Sequence, residues 1–199
     1  MLPLAVIAAW LVTACAPSGP AQAQQQEQQI SKGTNTNPDA KQVADFLAKV
    51  EAYNKLRTDL AKDSPKLKET AEPGDIGTAE RTLAAKIRQA RAHAKRGDIF
   101  TPATEAMFKR LVKPAVTGTA DAADNKAIIK DDAPMPKDVP FKVNGEYPKD
   151  EALSTVPPDV LKALPQLPEN LQYRFVGRHL ILYCMPGNLI VDYMLNALP

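Results

Sequence analysis

Cys15 and Cys184 are the chain's two thiols and His93 and His179 its two imidazoles, so nucleophilic, redox and metal chemistry have few residues to work with. Neither histidine stands at a ligand spacing such as HExxH and no CxxC pair occurs, so no metal site is expected. Cys184 lies beside the turn residues Pro186 and Gly187 with no general base at a recognisable spacing, and reads as a turn cysteine rather than a nucleophile. His179 falls in a β-forming run, where it faces solvent or satisfies a backbone carbonyl. Carboxylates number 23, yet spacing alone does not show which of them converge as general acid and base. Asp131 and Asp132, set among prolines, read as a solubilising or capping pair in a loop. GxSxG, SxxK and Gly-rich phosphate loops are absent, so no catalytic residue and no cofactor is expected.

The densest charge lies in residues 86–96 (KIRQARAHAKR), which could meet phosphates or lipid headgroups. Its cations fall on several faces of a helix and no aromatics interleave to stack bases, so a solvated face is the reading adopted. With 25 basic against 23 acidic residues the net charge is +2, too weak a field to imply a nucleic-acid partner. A 199-residue chain that is 44% hydrophobic holds one modest domain or two small ones, and 18 prolines with only 6% aromatics point to a small core.

The elements that would position these groups begin after a leader. Residues 2–14 (LPLAVIAAWLVTA) are uncharged and apolar, the length of a signal-peptide hydrophobic region and short of the ~20 residues that span a bilayer. They end in Val12-Thr13-Ala14-Cys15, which resembles the lipobox of bacterial lipoproteins. That resemblance implies cleavage after residue 14, a diacylglycerol on Cys15 and a membrane-lipid partner through that anchor. Ala16, in place of the aspartate that retains such proteins at the inner membrane, points to the outer membrane. A second site, Ala21-Gln22-Ala23 before Gln24, has the small-x-small form of ordinary signal cleavage and would leave a soluble periplasmic protein. Residues 15–37, polar and Gln-rich, cannot offset their ordering entropy by burial and read as a tether.

Helical periodicity starts at Asn37-Pro38, a cap and a first-turn proline. Val43, Phe46, Leu47, Val50, Tyr53, Leu56 and Leu60 form one stripe to about residue 63. A second helix opens at Asp75 or Thr78, carries Leu83 and Ile87, and ends at Gly97 as the left-handed residue just past it. A third, capped by Thr101 before Pro102, buries Met107, Phe108, Leu111 and Val112, and a short fourth covers about 121–130. Residues 38–132 are thus a helical region. Six prolines from 134 to 158 make residues 133–172 an extended connector with one short helix after Val160. From Tyr173 the chain turns β-rich, and residues 173–199 are read as a three-stranded antiparallel meander with turns at Gly177-Arg178 and Pro186-Gly187. Phe175, Leu180, Leu182 and Ile190 would share its buried face against the Phe46-Leu47 stripe. The fold class is α+β.

Two segments carry a resemblance: Gly97-Asp98-Ile99-Phe100-Thr101-Pro102, and residues 173–192 (YRFVGRHLILYCMPGNLIVD). They are similar to a family of uncharacterised exported bacterial proteins, and the part from about Pro157 resembles the small β-module that ends several periplasmic proteins, nickel and cobalt homeostasis proteins among them. The resemblance implies an envelope location and this fold. It carries over no metal ligands, because the His-rich and acidic tracts of a metal handler are missing. The expected function is a non-catalytic binding or structural role in the envelope, with an envelope protein as partner. The alternative is a small periplasmic hydrolase using carboxylates in the crease between helices and meander.

Overall fold

Residues 40–62 contain no glycine or proline and are rich in Ala, Leu and Lys, which is why they form the long helix α1, Ala40–Lys62. A computed structural model of the chain describes residue 37 and residues 39–62, 72–118, 120–132, 141–149, 151 and 154–199. The leader, Cys15, the tether up to residue 36, and Pro38 lie outside the described residues. From α1, Phe46, Val50, Tyr53 and Arg57 are buried at alternating steps of four and three. Helix α2, Pro73–Ala90, starts on its proline and buries Leu83, Ala84 and Ile87.

Helix α2 ends at Ala90, short of the expected stop at Gly97. The reason is Arg91. Its guanidinium donates to Asn144 Oδ1 at 2.7 Å and to Val191 O at 3.2 Å, while Asn144 Nδ2 donates to the Arg91 carbonyl at 3.0 Å and satisfies an acceptor the helix end leaves open. Gly97, at φ 88°, instead shapes the loop that leads to Thr101. There Thr101 Oγ1 accepts from Thr104 N–H at 3.3 Å and caps α3, Pro102–Thr117, as the sequence predicts. Helix α4 spans Ala122–Asp132, so Asp131 and Asp132 end a helix rather than sit in a loop. Asn125 Nδ2 reaches back to Ala115 O at 2.8 Å, closing a carbonyl near the end of α3.

The sheet has four strands, not three. The connector supplies β1, Gly145–Glu146, and after the short helix α5, Pro158–Ala163, come β2, Leu171–Val176, β3, His179–Cys184, and β4, Leu189–Met194. Their order is β1-β4-β3-β2 and every neighbour is antiparallel, giving an α+β fold. Gly177, at φ 57°, takes the sign that a two-residue hairpin turn requires at its first central position. A 3₁₀ turn, Met185–Gly187, with Asn188 left-handed at φ 48°, joins β3 to β4.

Between Leu182↔Asp192 and Tyr183↔Ile190 the β4 register slips by one residue, a bulge at Val191. Past a bulge every side chain changes face. Asp192 and Val191 therefore both point toward the helices, and Ile190, expected beside Leu180 and Leu182, faces the other way with Ile181, Tyr183, Val176 and Tyr147. On the helical side Phe46, Phe100, Phe108 and Tyr173 form one aromatic cluster, with Phe46 to Phe108 at 4.9 Å, Phe100 to Phe108 at 5.4 Å and Phe108 to Tyr173 at 5.8 Å between ring centres. The α1 stripe thus packs on the sheet through Phe46.

Candidate functional site

A carboxylate in an otherwise apolar strand is the first place to look for chemistry. Asp192, in the run LIVDYM, is 0% exposed. Its Oδ2 accepts from Ile99 N–H at 2.8 Å and Phe100 N–H at 2.9 Å, and its Oδ1 from Gly97 N–H at 3.1 Å and Tyr193 N–H at 2.8 Å. The loop after Gly97 is wrapped around one carboxylate, as anions sit in a concavity of backbone N–H groups. This joins the two segments that carry the sequence resemblance, and it leaves Asp192 no lone pair directed at a substrate. The signal that could have found it is the lone acid within the last β-forming run.

Beside it lies a buried polar cluster. The Arg91 guanidinium stands 4.9 Å over the Tyr53 ring, and Tyr53, 4% exposed, has a hydroxyl that meets no hydrogen-bond partner of ordinary geometry. Burial pushes its phenol far up and likewise raises the thiol of Cys184, which is free and 0% exposed. A protonated thiol sealed in the core is a poor nucleophile. Burial also lowers the Arg91 pKa from its ordinary value.

His93 sits exposed in the turn after α2. His179 accepts Asn196 N–H on Nδ1 at 3.0 Å, a backbone amide rather than the carbonyl or solvent foreseen for it. Among the described residues no three of His, Cys, Asp and Glu gather as a metal would require. The cations of residues 86–96 are not simply a solvated face. Arg88 Nε donates to Asn144 O at 3.1 Å, Arg91 ties α2 to β4, and Arg96 pairs with Glu105 at 2.9 Å and lies 5.7 Å over the Tyr193 ring.

A groove of about 600 Å³ runs along β2, between that strand and residues 155–167. Val156, Leu164, Leu167 and Tyr173 give it an apolar floor, Lys162 and Arg174 stand on it, and among the described residues no carboxylate lines it. Tyr173 is fixed there by its hydroxyl, which donates to Pro165 O at 2.9 Å. Ser154 Oγ donates to Phe175 O at one end, and Arg174 Nη1 donates to Ser154 O at 3.4 Å. Its described lining thus offers apolar surface and two cations. Compared with family models, curated proteins and solved structures, the chain finds no match in any of the three.

Proposed function

We propose that this protein is an exported cell-envelope lipoprotein, held through Cys15 on the periplasmic side of the outer membrane, whose folded part binds an envelope partner without catalysis. The anchor rests on the Val12-Thr13-Ala14-Cys15 motif and the polar tether behind it. The observation that carries the binding half is the β2 groove, apolar and cationic with no carboxylate lining it. Such a surface recognises and does not turn over, since hydrolysis wants a positioned acid or base. The hydrolase reading needs reactive carboxylates between helices and sheet, and Asp192, which lies there, is committed to four backbone N–H groups.

Intact-mass analysis of the mature protein from a bacterial membrane fraction tests the anchor. A lipid-modified mass beginning at Cys15, lost in Cys15→Ser, is expected. An unmodified mass beginning near Gln24 would refute the anchor and make the protein a soluble periplasmic one.

A further inference from the structure

We propose that the free edge of β2 takes an extended peptide of a partner protein as a fifth strand, with an acidic side chain of that peptide on Arg174. The inference rests on the binding reading above and names its partner's chemistry. Met185 N–H bonds Asn170 O, and the β2–β3 register pairs Leu171 with Cys184 through Val176 with His179. In an antiparallel ladder hydrogen-bonded pairs alternate. Residues 172, 174 and 176 therefore spend their backbone groups on β3, while 171, 173 and 175 direct theirs to the open edge.

Two of those edge groups are used: Leu171 N–H donates to Pro168 O at 2.9 Å, and Phe175 O accepts from Ser154 Oγ. Leu171 C=O, both groups of Tyr173, and Phe175 N–H remain, with no partner among the described residues. Those of Leu171 and Tyr173, which line the groove, form one row along it, enough ladder for about three residues of an added strand, while Phe175, 0% exposed, lies beyond its end. An unpaired edge of this kind invites pairing.

Arg174 selects the side chain. It is half-buried and, among the described residues, meets only neutral oxygens, Gln172 Oε1 and Ser154 O, while its buried Nε has no partner among them. Lys162 adds a second cation, itself paired with Asp159 at 3.2 Å. A carboxylate opposite Arg174 would complete a forked pair. Antiparallel to β2, the peptide residue opposite Tyr173 fills the apolar floor and its neighbour opposite Arg174 lies on the other face, so apolar and acidic residues alternate. Two copies of this chain meeting edge to edge would bring a pair of Arg174 guanidiniums to the seam with Asp159 already taken by Lys162, which disfavours a second copy as occupant.

The test uses the mature chain, whichever residue it begins at, purified from a whole-cell detergent extract, and a fluorescein-tagged Val-Glu-Val-Thr-Val amide. Saturable binding, slowed exchange at the Tyr173 amide, and roughly tenfold weaker binding when the glutamate is replaced by lysine are expected. Arg174→Gln, with its fold checked by circular dichroism, should abolish the preference between the two peptides. Failure to bind, equal binding of both peptides, or unchanged exchange at Tyr173 would each overturn the proposal. So would concentration-dependent self-association that protects Tyr173 without peptide. The intact mass of the same preparation reads the anchor separately, so either idea can fail alone.

Discussion

Asp192→Ala removes the acceptor from four backbone N–H groups at once. Those of Ile99 and Phe100 are in buried bonds, and a buried donor left unsatisfied costs about 1–3 kcal/mol. Gly97 and Tyr193 are part-buried and recover some of their loss through water. Relief of the carboxylate's own burial offsets a further share, so the net loss should be about 3–5 kcal/mol, as for breaking other buried charged networks. Against a total stability of about 5–15 kcal/mol that is a large fraction. With a urea slope near 2 kcal/mol per molar, the unfolding midpoint falls by ~2 M at unchanged slope. Asp192→Asn keeps one oxygen for Ile99 and Phe100 but turns an amide NH₂ toward two donors, and should lose about half as much. Urea titration of the mature protein by far-ultraviolet circular dichroism reads both. A midpoint for the alanine variant within ~0.3 M of wild type would refute the clamp.

Two further outcomes follow from buried titrating groups. Burial raises the pKa values of Tyr53, Tyr173 and Cys184 above their ordinary range and pushes that of Tyr183 up to about 12. Groups whose folded pKa is raised contribute stability that is whole below the unfolded pKa, ~8.5 for Cys and ~10 for Tyr, and is lost as pH rises toward the folded one. The urea midpoint should hold at pH 8 and fall from about pH 9 upward. A flat profile to pH 11 would contradict the burial, as would reaction of Cys184 with Ellman's reagent at pH 8 without denaturant. His179 is lowered, first by burial and then by Arg178 and Arg96, so its contribution is whole above ~6.5 and lost as pH falls below. Protonation also removes the Nδ1 acceptor of Asn196 N–H. Amide exchange corrected for intrinsic rate should therefore show Asn196 less protected at pH 5 than at pH 7.5, and equal protection would exclude this coupling.

The α1 stripe, the Thr101 cap, the Gly177 turn and the α+β class were legible because each rests on local chemistry: periodicity, a hydroxyl before a proline, a glycine between β-forming runs. What was hidden depends on partners distant in sequence. Helix α2 ends early because Asn144 takes the Arg91 carbonyl, and no property of residues 86–96 announces that. Strand β1 is only two residues long and exists because β4 offers it an edge. Simple alternation placed Ile190 inward, and the bulge at Val191 reversed it. Asp192 was visible as an acid in an apolar run, but its role required the loop it gathers. The groove along β2 belongs to a strand edge and a proline-bounded helix, neither of which has a sequence signature for what it binds.

The position of β4 has a consequence for the order in which the chain can assemble. Strand β4, the latest in sequence among the described strands, lies in the interior of the sheet, between β1 and β3, and brings the residue that gathers the loop of residues 97–100 from more than 90 residues upstream. Ala197 and Leu198 then close onto Arg178 O. Until residue 192 is in place, β1 has no partner and the amides of Ile99 and Phe100 no acceptor, so a chain released or cut before that point retains helices without the contacts that hold them. Pairings of such long sequence separation form late, because loop closure must come first. The sheet and the loop of residues 97–100 therefore stay open until residue 192 has joined them.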